Sequence, residues 1–177
     1  MEEIRRTAPS AEYADDIMAL CRELIEAKDS DSFAGCGSLR EAASTEEWIA
    51  HLAQWADDDA CPAGGVLSHT YLAVRLADNR IVGIIDLRHS IDHPILSTWG
   101  GHMGYSVCPS ERGKGYARKM LRQNLRNCRA RGMEKILITC SRGNIASEKT
   151  ILACGGVFES EICVKGEYIQ RYWITLQ

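Results

Sequence analysis

The run Arg112-Gly113-Lys114-Gly115-Tyr116-Ala117 joins two glycines and two cations to the start of a helical pattern. Glycines let a backbone turn tightly and come close to a ligand, and the first N–H groups of a helix point outward at its positive dipole end. That combination is a cradle for phosphate. The sequence around it agrees: residues 112–131 hold eight bases (Arg112, Lys114, Arg118, Lys119, Arg122, Arg126, Arg129, Arg131) and no acid. A solvated helix face and a nucleic-acid patch are the alternatives, but an isoelectric point near 6.0 and the lack of interleaved aromatics disfavour nucleic acid. A compact polyanion fits better. Two common phosphate motifs are disfavoured. A P-loop needs GxxxxGK followed by Ser or Thr. The dinucleotide fingerprint needs a third glycine where Arg118 stands and an acid after the next strand, where Cys140 sits.

Such a cradle needs a strand before it and a helix behind it. Residues 116–131 place Ala117, Met120, Leu121, Leu125 and Cys128 on one face and arginines on the other, a helix ending at Gly132. Ahead of it 101–107 reads as a short strand stopped by Pro109, and behind it 135–140 reads as a buried strand. Upstream, 70–76 and 81–88 flank Asp78-Asn79 as a hairpin. Downstream, 146–154 is a short helix closed by Gly155-Gly156, and 157–164 with 168–176 form a terminal hairpin turning at Gly166. Near the N-terminus, 10–27 carries a stripe of Ala14, Ile17, Leu20, Cys21, Leu24 and Ile25 with Ser10 as cap. After a Ser/Gly/Asp-rich loop over 29–43, Ser44 and Glu47 form a capping box for a helix to Trp55. With a first strand near Ile4, the order is βααβββαβαββ. The expected fold is α/β (α+β): a mixed, mostly antiparallel central sheet of six to seven strands, a parallel strand-helix-strand crossover over 101–140, and flanking helices.

The 177 residues, 45% hydrophobic and 25% charged, suit one domain spanning 1–177. No run of eighteen apolar residues appears and the acidic start lacks a signal-peptide pattern, so no membrane span is expected and the expected location is cytoplasmic. The eight cysteines show no CxxC or CxH spacing, which predicts scattered reduced thiols and no metal. The net charge of −3 hides an asymmetry. Residues 1–60 hold 15 acids against 5 bases and residues 61–177 hold 9 against 16, giving −10 and +7.

Together these residues resemble the GNAT superfamily of acyl-CoA-dependent N-acetyltransferases over 81–158. The resemblance rests on the strand closing in Val107-Cys108-Pro109 and on RGKGYA in the family's [Q/R]-x-x-G-x-[G/A] slot. It continues through the helix and strand that follow, Asn144, a short helix and a Gly-Gly-Val-Phe end. The stretches GGHMGYSV, GNIASEKTI and RYWI look like a bacterial branch whose acceptors are mostly unassigned. The resemblance implies a GNAT fold with acetyl-CoA as co-substrate and no metal. It implies that 81–158 is the cofactor-binding core and 10–60 a helical acceptor-side segment. Backbone amides of Arg112, Gly113, Lys114, Gly115, Tyr116 and Ala117 would hold the coenzyme A pyrophosphate. The backbone around Val107 would pair with the pantetheine arm like an added strand, and Asn144 would contact the cofactor near its thioester.

The implied reaction passes an acetyl group directly to a primary amine, of a small molecule or a peptide, which must first lose a proton. A backbone N–H on the third strand would polarise the thioester carbonyl. The family's acidic base would fall at Gly101, so His102 becomes the first candidate base, followed by His89 and Asp86. The family's tyrosine acid would fall at Ile151, which leaves Tyr105, Tyr168 and Tyr172 as alternatives, Tyr105 first. Cys140 as an acylated nucleophile is disfavoured, since no histidine is near it in sequence. The acidic half suggests a cationic acceptor. The alternatives are a non-catalytic acyl-CoA sensor or a transferase using another acyl-CoA. A homodimer through the terminal hairpin, with Tyr172 and Trp173 against a second copy, is a further expectation.

Overall fold

The computed structural model describes residues 3–29 and 33–176. Seven strands and four α-helices follow the expected order. They are β1 (Ile4–Thr7), α1 (Ala14–Ala27), α2 (Thr45–Trp55), β2 (Ser68–Arg75), β3 (Ile81–Arg88), β4 (Tyr105–Val107), α3 (Tyr116–Ala130), β5 (Lys135–Ser141), α4 (Ile145–Leu152), β6 (Val157–Val164) and β7 (Glu167–Thr175).

The expected single sheet is divided in two. Antiparallel β1-β2-β3-β4 form one sheet and antiparallel β5-β7-β6 the other. One parallel bridge, Met103 to Ile138, links them where the crossover was expected to give a full ladder. β4 is also shorter than the 101–107 expected, because the chain at Gly101 takes φ +66 and leaves regular strand geometry.

The first sheet lies between two helical layers. Leu72, Val74, Ile81 and Ile84 pack with Ile17, Leu20, Leu24 and Trp48 of α1 and α2. Val82, Ile85 and Leu87 pack with Met120, Leu121, Leu125 and Cys128 of α3. Burial on both faces explains why β3 reads as a nearly continuous apolar run. The α3 cluster also takes in Ile136, Ile138, Tyr172 and Ile174, so a single core continues beneath both sheets. Asn124, fully buried on α3, donates its amide to the Asp86 carbonyl at 3.0 Å, which satisfies a polar group at the core's centre.

Several local expectations change. Residues 11–13 form a 3₁₀ turn ahead of α1, and Ser10 caps it without a side-chain hydrogen bond. Ile25 is exposed, so the α1 stripe is narrower than the pattern suggested. Tyr172 is 1% exposed and Trp173 gives its indole N–H to Glu159, so Tyr172 offers nothing to a second copy. A π-type helical turn, Leu96–Gly100, follows Pro94 where only a loop was expected. At α2 the cap forms and the box is shifted: the Ser44 hydroxyl accepts the Glu47 N–H at 3.1 Å, and the Glu47 carboxylate takes the N–H of Ala43, one residue before the cap, at 2.8 Å. Ser44→Ala is expected to cost about 1 kcal/mol, seen as a lower urea midpoint at unchanged slope.

Candidate active site

β4 and β5 run parallel and then separate. On the β3 side the Asp86 N–H donates to the Gly104 carbonyl (3.0 Å) and the Cys108 N–H to the Val82 carbonyl (3.0 Å). Antiparallel pairing alternates, so the backbone groups of 104, 106 and 108 turn to β3 and those of Tyr105 and Val107 turn away from it. On the far side the Arg142 N–H donates to the Tyr168 carbonyl (2.8 Å), so 140 and 142 serve β7 while Thr139 and Ser141 face β4. Two strand edges therefore face each other across a slot.

The slot opens into a cavity of about 1260 Å³. One wall is the turn into α3. Gly113 and Gly115 have φ +76 and +82, and Gly115, the residue capping α3, has no side-chain cap bond. A side chain there would be strained, whereas glycine lets the turn present its amides. Arg112, Gly113, Gly115, Tyr116 and Ala117 all line the cavity, as do Val107, Tyr105 and Asn144. Lys114 does not; its ammonium pairs with Glu111 at 2.8 Å. That pairing, followed by the Arg75 contact, holds the Glu111 carboxyl below the usual range. Arg112 is tied to Asp29 at the end of α1 at 2.5 Å. The Tyr116 ring is buried, so this residue meets the cavity chiefly through its backbone. Asn144 caps α4, its Oδ1 accepting the Ser147 N–H at 3.1 Å.

The candidate bases are elsewhere. His102 is 6% exposed and outside the cavity lining, with Nδ1 accepting the Leu137 N–H at 2.9 Å. Its accepting lone pair is thus committed, and burial lowers its pKa. Asp86 is buried, accepts the Gly104 N–H at 2.6 Å and pairs with Arg88 at 2.8 Å. Burial pushes its carboxyl up while Arg88 opposes. His89 stacks on His69 with a 2.9 Å N···N hydrogen bond. Neither Asp86 nor His89 lines the cavity.

Of the three tyrosines, only Tyr105 lines it. Its hydroxyl lies 2.8 Å from Ser147 Oγ, a partner that the Asn144-x-x-Ser147 capping spacing marks as the third residue of α4. Tyr168 carries the Arg142 guanidinium over its ring, and Tyr172 is buried and pushed up to about 12 by desolvation. Cys140 is buried and also lines the cavity.

Phe33, Ala34, Arg88, Trp99, Thr139 and Ile169 also line the cavity. The helical turn supplying Trp99 is pinned there: Thr139 Oγ1 donates to the Trp99 carbonyl at 2.6 Å and Arg88 to the Gly100 carbonyl at 2.9 Å. No sequence pattern pointed to Trp99 or Phe33. Among the described residues, Asp29 is the single acid of 1–60 on the lining, and it is paired; the other charges there are Arg88, Arg112, Arg118, Arg142 and Lys149 against Glu111 and Glu167. Among the described residues the acidic half therefore does not make the lining acidic.

A family model described as "Acetyltransferase (GNAT) domain" matches residues 9–157. No curated protein matches the sequence. Among solved structures the chain is similar to a ribosomal-protein-S5-alanine acetyltransferase from Vibrio fischeri (17% identity, 98% of this chain and 92% of that one, TM-score 0.67). It is also similar to a spermidine N-acetyltransferase chimera from Vibrio cholerae and hSSAT (16%, 98% and 95%, 0.65). A third likeness is to a Salmonella typhimurium protein, yncA, solved with its cofactor acetyl-CoA (13%, 99% and 94%, 0.66). At such identities these likenesses show a shared fold.

Proposed function

The chain belongs to the GNAT acetyltransferase family, and on that premise we propose that it transfers an acetyl group from acetyl-CoA to a primary amine by direct attack on the thioester. The observation that carries the reading is that the RGKGYA turn and the β4–β5 slot share one cavity. A cradle of helix-end amides suits a pyrophosphate, and two facing strand edges suit an extended amide-bearing arm.

The residues divide the work as follows. Backbone amides from Arg112 to Ala117 hold the pyrophosphate, with Arg118 and Lys149 on the same lining adding positive charge. Val107 and Ser141 present strand edges to the pantetheine arm. The Tyr105 N–H, directed into the slot, polarises the thioester carbonyl. Asn144 orders the start of α4 beside the reacting end, where Tyr105 and Ser147 meet. When bound, acetyl-CoA supplies the acetyl group on a thioester and a thiolate leaving group. The placement of His102, Asp86 and His89 argues for water as the acceptor of the amine's proton. Phe33 and Trp99 form the wall on which the acceptor rests. The neighbours named for spermidine and for ribosomal-protein alanine fit an amine acceptor.

The test is mass-spectrometric detection of acetylated product from purified protein, acetyl-CoA and an amine panel covering polyamines, amino acids, aminoglycosides and peptides. Thiol dyes are avoided because Cys163 is exposed and would react. A product from any class supports the transferase. No product, with acetyl-CoA still raising the melting temperature, would favour the sensor reading that Ile151 at the tyrosine position suggests. No product and no thermal shift would remove both.

A further inference from the structure

We infer that His102 is a positioning residue: its imidazole clasps β5 at the closed end of the slot and thereby sets how far β4 and β5 stand apart where the cofactor arm enters. The inference rests on the cofactor reading above for its consequence and on geometry alone for the clasp.

His102, just ahead of β4, joins β3 to β5. Its carbonyl accepts the Arg88 N–H from β3 at 2.8 Å, and its own N–H donates to the Leu137 carbonyl of β5 at 2.8 Å. The Leu137 N–H then returns to Nδ1 of the same residue at 2.9 Å. A side-chain nitrogen thus stands where a parallel ladder would use a carbonyl of the neighbouring strand. The next residue forms the parallel bridge Met103 to Ile138, and from Tyr105 onward β4 pairs with β3 alone. Gly101 permits the approach: a Cβ there would lie 2.7 Å from the Leu137 carbonyl oxygen, at φ +66. A bulkier residue would force the strands apart at the point His102 ties together.

An imidazole can accept at Nδ1 only when neutral with its proton on Nε2; a protonated ring carries N–H on both nitrogens. Protonation therefore sets N–H against the Leu137 N–H and places a charge in a buried site. The groups facing the ring are Arg88 at the end of β3, itself held by Asp86 and the Gly100 and Gly101 carbonyls, Asp92 in the loop beyond, and the edge of Trp173 on β7. Burial, the largest influence, lowers the imidazole pKa from 6.5; Arg88 adds to it, and the Leu137 backbone and Asp92 oppose. With the folded-state value depressed, the clasp's contribution is complete above about 6.5 and is lost as pH falls through the lowered value.

Two variants test this. In His102→Asn the amide Oδ1 stands as many bonds from the backbone as Nδ1 and accepts without titrating, whereas His102→Leu offers no acceptor. Amide exchange of Leu137 in the ligand-free protein, KM for acetyl-CoA, kcat and the acid limb of the KM profile are measured. His102→Leu is expected to lose about tenfold or more in Leu137 protection and to raise KM by a similar factor. His102→Asn keeps both within about threefold and lacks the wild type's rise in KM as pH falls through the lowered imidazole value. Equal impairment of both variants, or unchanged Leu137 protection in His102→Leu, overturns the clasp. A collapse of kcat in His102→Asn at unchanged KM and Leu137 protection also overturns it, in favour of a catalytic base. If wild-type protein does not bind acetyl-CoA, the cofactor reading fails by itself, and Leu137 exchange still decides whether His102 ties the strands.

Discussion

Replacing Ala117 by glutamate is expected to abolish acetyl-CoA binding while leaving the ligand-free protein as stable as before or more so. Ala117 is the second residue of α3 and lines the cavity beside Gly115. A carboxylate in the first turn of a helix interacts favourably with its positive end, by about 0.3–1 kcal/mol, and Arg112 and Arg118 line the same cavity. A pyrophosphate on those amides would instead meet a negative charge. At about 4 Å and an effective dielectric near 20, that repulsion is about 4 kcal/mol, or roughly a thousandfold in affinity. The two effects have opposite signs, so misfolding cannot imitate the result. Calorimetric titration with acetyl-CoA and thermal melting without it would be read side by side, with Ala117→Ser as the control for bulk. Binding within about threefold of wild type would mean that the pyrophosphate does not sit at this helix end.

The glycine turn into α3 was legible in the sequence because its determinants are local. Gly113 and Gly115 sit in a turn whose positive φ favours glycine, and the basic run belongs to the helix that follows. The β2–β3 hairpin was legible for the same reason, its turn residues and apolar runs being contiguous. The division of the sheet was not, because it depends on what the outer edge of the segment leading into β4 meets, and the partner of His102 there, Leu137, is 35 residues away. A strand bordered by a slot and a strand inside a sheet carry the same alternation. His102 illustrates the cost: as a residue type it reads as a titratable base, and only the contact of Nδ1 with a distant amide reveals it as part of a ladder. The acidic half is a related case, since a charge count carries no direction and, among the described residues, Asp29 is the acid of that half found on the cavity. Ser147 lay within reach of sequence reasoning through the cap at Asn144, but its meeting with Tyr105 is a contact over 42 positions.

That meeting carries the second large effect. Tyr105→Phe is expected to lower kcat about a hundredfold with KM for acetyl-CoA changed by less than about threefold. Tyr105 contributes to the slot twice: its N–H turns away from β3 toward the place proposed for the thioester carbonyl, and its hydroxyl, 2.8 Å from Ser147 Oγ, is an O–H donor on the cavity lining beside α4. The substitution keeps the ring and the backbone N–H and removes only the hydroxyl, so carbonyl polarisation survives while proton delivery to the departing sulfur is lost. The loss should lie at the lower end of the range for general acids, because a thiol has an ordinary pKa of about 8.5 and a thiolate departs tolerably unassisted. Ser147→Ala should cost less, since it removes a group that orients the phenol and leaves the phenol itself. The double variant should be no slower than Tyr105→Phe, because two groups acting as one unit are not additive. A purely structural hydroxyl would give another pattern: both single variants would lower the melting temperature equally and leave kcat within about threefold of wild type. In that event water protonates the sulfur, and Tyr105 serves the reaction through its backbone alone.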